Sequence, residues 1–107
     1  MVSKIVNADE ADVDLLIKVS SEIIKREKKA VSVLICIDKN ARLVVNVGEE
    51  ARKLGVDARE IAREAGSKLG GGGSGKPDFA QGGGSHVEGA GEALKKAKDV
   101  ILRSVKR

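Results

Sequence analysis

A glycine-rich segment at residues 70–84 has the residue types and spacing most suggestive of chemistry in this 107-residue sequence. Gly70, Gly75 and Lys76 match the first positions of the phosphate-binding loop of nucleotide hydrolases, in which backbone N–H groups surround phosphates and a lysine adds charge. The next position of that pattern requires a Ser or Thr hydroxyl for magnesium, and here it is Pro77. A phosphate-binding loop also follows a strand, whereas this segment follows a predicted helix. We therefore exclude nucleotide hydrolysis at this segment.

Three interpretations of the glycine-rich segment remain open. Eight of its fifteen residues are Gly, so we expect a loop, because glycine in a strand or helix interior loses backbone entropy. One interpretation is a flexible linker, although the segment also contains the only Pro and the only Phe, Pro77 and Phe79. In the second, backbone N–H groups converge on a phosphate, with Lys76 at the rim. In the third, the glycines permit close packing and Phe79 is a core residue.

The other reactive residue types do not form a catalytic constellation. His86 could contact a phosphate or a base edge, although a lone His is more often a surface or capping residue. Cys36 lies in an apolar run and is expected to be a small buried hydrophobe. One Cys and one His can form neither an internal disulfide nor a Cys/His metal site. Glu49 and Glu50 suit a helix start better than acid/base catalysis.

Composition limits the classes of partner. Lys and Arg number 20 against 16 acids, giving a formal charge of +4, which permits a polyanionic partner without requiring one. The single aromatic residue excludes base stacking by rows of aromatic side chains. Basic clusters at residues 25–29 and 95–107 are expected to be solvated helix faces and secondary candidates for phosphate contact. No apolar run approaches the ~20 residues needed to span a bilayer, and no signal peptide is recognisable, so a reduced, cytoplasmic protein without a membrane partner is expected.

Hydrophobic periodicity predicts the elements that position these residues. In the first half it indicates a short strand at residues 2–6, an amphipathic helix at 10–28, and an antiparallel hairpin from strands 31–37 and 43–47. The first strand of that hairpin is nearly all apolar and should be buried on both faces. In the second half a helical turn at 49–54 precedes a helix that Asp57 caps and that reaches about Leu69. After the glycine-rich segment, apolar residues again recur at helical spacing from Val87, which predicts a C-terminal helix.

These elements predict one small α/β domain spanning residues 1–107. Their order is β-α-β-β-α-loop-α, which favours a two-layer sandwich with a mixed β-sheet packed against helices. The glycine-rich segment, residues 70–84, is the loop of this arrangement.

The glycine-rich segment also carries a family resemblance. Its sequence, Gly70-Gly-Gly-Gly-Ser-Gly-Lys-Pro-Asp-Phe-Ala-Gln-Gly-Gly-Gly84, resembles the signature near the C-terminus of alanyl-tRNA synthetases, particularly archaeal ones. The flanking helices and the preceding strand, helix and hairpin fit the same region, so nearly the whole chain is covered. That region is similar to the DHH-associated domain, the substrate-binding half of DHH phosphodiesterases, in which a GGGH motif holds a nucleotide phosphate. Here Ser85 separates Gly84 from His86, and the Pro-Asp-Phe-Ala-Gln sequence favours the synthetase branch.

The resemblance implies a non-catalytic module of an alanine-tRNA ligase. Such a module binds the tRNA elbow, helps couple aminoacylation with editing, and supports oligomerisation, so tRNA and a second copy of the chain are the expected partners. No cofactor is expected for this domain, because the ATP motifs and zinc ligands of the synthetase are absent from the sequence. The predicted RNA-binding residues are Gly70, Gly71, Gly72, Gly73, Gly75, Lys76, Gly82, Gly83, Gly84, His86, Lys95 and Lys96.

Two alternatives to tRNA binding remain: a dimerisation module with little RNA binding, and the substrate-binding half of a DHH phosphodiesterase. For self-association, the small residues Ala90 and Ala97 on the apolar stripe of the last helix are expected to allow a partner element to approach closely.

Overall fold

A computed structural model of the chain describes residues 2–7, 18, 21–22, 24–37 and 39–105. Residues 18, 21–22 and 24–26 are helical, in agreement with the predicted helix at 10–28, although residues 27 and 28 are not helical. The other positions of that range lie outside the described residues. Residues 106 and 107 of the C-terminal basic cluster also lie outside them.

The centre of the fold is a five-stranded mixed sheet. Its strands are β1 (Val2–Asn7), β2 (Val31–Ile37), β3 (Ala41–Val47), β4 (Gly72–Gly75) and β5 (Phe79–Gly84). Their spatial order is β1-β2-β3-β5-β4, with β1 parallel to β2 and all other pairs antiparallel. The predicted mixed sheet and the β2–β3 hairpin are therefore confirmed.

The glycine-rich segment is a β-hairpin, and the prediction of a loop was wrong. Strands β4 and β5 form within it and extend the sheet beyond β3. Glycine is needed because neighbouring backbone lies too close for a side chain: a Cβ at Gly73 would lie 2.6 Å from the Ala62 carbonyl oxygen, and one at Gly82 would lie 2.4 Å from the Gly72 oxygen. The entropy lost by ordering glycine is offset by ladder hydrogen bonds and by this close packing.

Three α-helices follow the β2–β3 hairpin. They are α1 (Glu49–Lys53), α2 (Ala58–Lys68) and α3 (Ala90–Val105), and a short 3₁₀ helix (Val87–Gly89) precedes the last. As predicted, Asp57 caps α2: its carboxylate accepts a hydrogen bond from the Arg59 N–H. Gly70 lies in the turn that follows α2 and has a φ of 81°. Glycine adopts this left-handed conformation without steric cost.

The hydrophobic core lies between the sheet and helices α2 and α3. Alternate residues of β2 and β3 face it, and Ala58, Ile61 and Ala65 of α2 are fully buried against them. The other residues of β2, including Leu34 and Cys36, are also buried, at 4 % and 3 % exposure. Strand β2 is thus covered on both faces, as its nearly all-apolar sequence predicted.

Phe79 is not part of this core, so the packing prediction for it was wrong. It is half-buried and lies outside the core cluster. The next residue, Ala80, is fully buried within that cluster. Because successive strand residues point to opposite faces, Phe79 lies on the face of the sheet away from α2 and α3.

Candidate nucleic-acid interface

The face of the sheet away from α2 and α3 is exposed along β5 and β4 and at the start of β3. Leu43 and Ala80 point into the core, so Arg42 and Gln81, their neighbours, point to this open face, and both are exposed. Strand register places Arg42 opposite Gly83, and Gly83 opposite the exposed Gly72 of β4. A Cβ added to Gly72 would meet no atom within 4 Å. We call this surface the glycine face.

An open cavity of about 430 Å³ lies where β3 begins and β5 ends. It is lined by Asn40, Ala41, Arg42, Gln81, Gly82, Gly83, Gly84 and Ser85. Three of the twelve candidate residues, Gly82 to Gly84, therefore border one concave surface together with a guanidinium group. Arg42 forms no ion pair among the residues that the structure describes.

Arg42 is the functional candidate that sequence reasoning missed. The available signal was an isolated charge inside a strand of otherwise mostly apolar residues, with Ala41 before it and Leu43 after it. A charge at such a position must point away from the core, because buried charges without partners are costly. Its proximity to the glycines required the pairing of β3 with β5.

The structure changes the expected role of the first glycines. The Gly70 N–H donates to the Ser67 carbonyl and the Gly71 N–H donates to the Gly66 carbonyl, at 3.1 Å each. Both groups satisfy carbonyls at the end of α2, so they are not available to a phosphate. Gly72, Gly73 and Gly75 belong to β4, where part of the backbone hydrogen bonding is used in pairing with β5.

Lys76 and His86 are not among the residues that line the cavity. Lys76 is exposed in the turn between β4 and β5, and Gly72, four residues before it on β4, pairs with Gly83 of the cavity. At about 3.4 Å per residue, Lys76 lies roughly 14 Å from that pair. His86 packs over Gly70: its Cγ and Nδ1 lie 2.8 Å from where a Gly70 Cβ would be. This contact gives His86 a packing role at the end of α2.

Lys95 and Lys96 belong to the opposite side of the molecule. They line a cavity of about 350 Å³ on the helix layer together with Lys68, Glu92 and Asp99. The Lys96 ammonium lies 3.6 Å from the Glu64 carboxylate. The Arg103 guanidinium donates a hydrogen bond to Glu64 and holds the pKa of that carboxyl below its ordinary value, with Lys96 contributing less.

No group of three or more His, Cys, Asp or Glu side chains in the described part of the chain could hold a metal ion. Across the same residues, no helix is both long and apolar enough to cross a membrane.

Comparison with known proteins identifies the family. The model of the DHHA1 domain matches residues 1–103. The chain belongs to the DHHA1 domain family. Its relatives include the alanine–tRNA ligases of Caldicellulosiruptor saccharolyticus, 34 % identical over 94 % of this chain, and of Methanococcoides burtonii, 33 % identical over 85 %. The chain spans only 12 % and 10 % of the length of these two relatives.

Solved structures extend this comparison to the fold. This DHHA1 domain matches the C-Ala domain from Aquifex aeolicus alanyl-tRNA synthetase with a TM-score of 0.83 and 30 % identity, over 94 % of this chain and 88 % of that one. A DHH domain of a member of the s1p family of ribosomal proteins matches with a TM-score of 0.62 over 89 % of this chain and 22 % of that one. At 14 % identity, this second likeness concerns the fold alone.

Proposed function

We propose that this DHHA1 domain is the non-catalytic C-terminal module of an alanyl-tRNA synthetase and that it binds tRNA. The observation that carries the proposal is the match to the C-Ala domain over nearly the whole length of both chains. Alanine–tRNA ligases among the relatives support the same assignment. No cofactor is proposed for this domain, since ATP and zinc belong with the other parts of such an enzyme.

The glycine face is the best candidate for the RNA contact. Backbone can approach a folded RNA closely there, because Gly72 carries no side chain and the space beside it is open. Arg42 supplies a charge for a phosphate at the cavity, and Lys76 supplies a second at the hairpin turn. The only aromatic side chain, Phe79, is half-buried, so RNA would be recognised through phosphates and shape rather than by rows of stacked bases.

A salt series tests this proposal. The affinity of the chain for a fluorescent tRNA is measured by anisotropy between low and physiological salt, for the wild type and for Arg42→Gln, Lys76→Ala and Gly72→Val. Each lost phosphate contact should lower affinity and flatten the slope of log affinity against log salt by about 0.7 to 0.9. Gly72→Val should weaken binding without unfolding the chain, because the space beside Gly72 is open.

Arg63→Gln is the matched control for Arg42→Gln. It removes the same charge from an exposed position on α2 and should leave affinity and slope nearly unchanged. Absence of tRNA binding at low salt would refute the proposed function. Equal losses in Arg42→Gln and Arg63→Gln would instead refute the placement of the contact on the glycine face.

A second candidate function is self-association, supported by an exposed apolar patch. Leu54, Leu102 and Val105 are 60 %, 48 % and 46 % exposed. A Cβ at Gly55 would lie 3.1 Å from the Ser104 backbone oxygen, so the C-terminal ends of α1 and α3 are adjacent. We call Leu54, Leu102 and Val105 the terminal patch.

The residues expected to form the interface are not available for it. Ala90 and Ala97 of α3 are 4 % and 0 % exposed and belong to the domain's own core. Their small size serves the close packing of α3 within the chain. Self-association would therefore use the terminal patch instead.

A further inference from the structure

The turn between β4 and β5 is closed by its own hydrogen bonds. The Lys76 N–H donates to the Phe79 carbonyl at 2.8 Å, and the Phe79 N–H donates to the Lys76 carbonyl at 3.2 Å. Pro77 and Asp78 are the two residues between this bonded pair. A two-residue connection of this kind leaves the chain few alternative paths within the hairpin.

The rest of the domain holds the same turn from two sides. The Pro77 carbonyl accepts the Ala58 N–H at the start of α2, and the Asp78 carbonyl accepts the Val47 N–H at the end of β3, at 2.9 Å each. Both central carbonyls of the turn are therefore bonded to the interior of the chain. The turn is fixed relative to α2 as well as to the sheet.

The bond to α2 belongs to the N-terminal cap of that helix. The first N–H groups of a helix have no partner within it. In α2 they are divided between two acceptors: Ala58 donates to the Pro77 carbonyl, and Arg59 donates to the Asp57 carboxylate at 2.8 Å. Loss of the Asp57 acceptor would let the first turn of the helix fray, and the donor to Pro77 lies in that turn.

Lys76 lies one residue from this bond and is exposed. It forms no ion pair among the described residues, and the Asp57 carboxylate pairs with the Arg59 guanidinium instead, at 2.7 Å. Any effect of Asp57 on Lys76 must therefore pass through the backbone of Ala58 and Pro77. A cation on a fixed backbone loses less conformational entropy when it meets a phosphate.

We propose that Asp57 is a positioning residue for RNA binding: by capping α2 it keeps the turn docked and so holds Lys76 where a phosphate can meet it. This inference rests on the proposed function, in which Lys76 supplies a phosphate contact. Asp57 itself does not touch RNA. Its negative charge repels phosphates, so the loss of charge and the loss of positioning have opposite effects on affinity.

The test compares two variants with the same change of charge. Asp57→Ala and Asp57→Asn both remove the carboxylate, but only asparagine keeps an oxygen that can cap the helix. The affinity for a fluorescent tRNA is measured over a salt series for each variant, alone and combined with Lys76→Ala. Circular dichroism checks folding, and amide hydrogen exchange at Ala58 reports the bond to Pro77.

Asp57→Ala should weaken tRNA binding roughly two- to fivefold, flatten its salt slope towards that of Lys76→Ala, and speed exchange of the Ala58 amide. Asp57→Asn should bind at least as tightly as the wild type. In chains that carry Lys76→Ala, the further change Asp57→Ala should cause no additional loss, because its effect acts through Lys76. If Asp57→Ala does not fold, the same comparison is made in trimethylamine oxide, which favours the folded state.

Three results would overturn this inference while leaving tRNA binding by the wild type intact. One is an unchanged or increased affinity in Asp57→Ala. The second is an equal loss in Asp57→Asn, and the third is a loss of the same size with and without Lys76. Failure of the wild type to bind tRNA refutes the proposed function itself.

Discussion

At the residue scale, Asp57 shows how one side chain stabilises the start of α2, the helix that packs against the β4–β5 hairpin, here called the glycine hairpin. Its carboxylate accepts a hydrogen bond from the Arg59 N–H at 2.8 Å and pairs with the Arg59 guanidinium at 2.7 Å. The guanidinium hydrogen bond is the main cause of a lowered pKa for Asp57. The Ala58 N–H, next in sequence, donates to the Pro77 carbonyl in the turn between β4 and β5. The cap of α2 therefore lies next to the hydrogen bond that joins α2 to the turn between β4 and β5.

Asp57→Ala should destabilise the chain by about 1 kcal/mol at neutral pH, the usual cost of losing such a cap. A group whose pKa is lower in the folded state stabilises that state above its unfolded pKa, and the contribution is lost as pH falls through the folded pKa. The difference between wild type and variant should therefore shrink as pH falls below 3.8, the ordinary value for Asp. Urea denaturation across pH measures this.

Asp78→Ala is the control for the cap. Asp78 is exposed in the hairpin turn, and its backbone carbonyl, not its side chain, accepts the Val47 N–H. Its replacement should change stability by less than about 0.5 kcal/mol. A pH-independent difference for Asp57→Ala would show that the carboxylate charge does not contribute.

At the scale of elements, the glycine hairpin is a strand pair packed on a helix with almost no side chains between them. Gly73 faces Ala62 of α2, and a Gly66 Cβ would lie 2.5 Å from the Gly72 oxygen. Backbone-to-backbone contact of this kind explains why the hairpin requires glycine on the side that faces α2. Glycine on the open side, as at Gly72, has no such packing role.

Gly73→Ala should therefore lower the free energy of unfolding by about 1 to 3 kcal/mol, the usual cost of forcing extra atoms into a filled space. Gly72→Ala, the neighbouring position with nothing within 4 Å of its Cβ, should be nearly neutral. Chemical denaturation of both variants gives the comparison. If the two changes cost the same, close approach of α2 is not the reason for glycine in β4.

At the scale of the whole molecule, the unpaired apolar surface is concentrated at one end. The terminal patch contains every large hydrophobic side chain that is exposed among the described residues. Clustered exposed apolar side chains often mark a protein–protein contact.

Self-association should be visible by sedimentation at tens of micromolar, where weak interfaces are populated, and should vary little with salt because the patch is apolar. Leu102→Ser should shift the chain towards monomer. Lys98→Ser, which changes another exposed residue of α3, should not. A wild type that remains monomeric throughout this range would show that no such interface lies within these residues.

The sequence by itself determined the elements whose signals are local. The nearly all-apolar sequence of β2 predicted a strand buried on both faces, and Asp57 predicted the start of α2. The motif around Lys76 predicted the family. These inferences succeeded because a buried strand, a helix cap and a signature motif each depend on residues close together in sequence.

Only the tertiary structure decided what the glycines and the charges do. Residues 72–75 and 79–84 form strands because β3 offers a free edge and the backbone packs against α2. Neither condition is encoded within the segment. Arg42 reaches the glycines through strand pairing, and Lys96 is neutralised by Glu64 from another helix. Pairing and burial depend on residues distant in sequence, so composition alone could count these cations but could not show which of them are free.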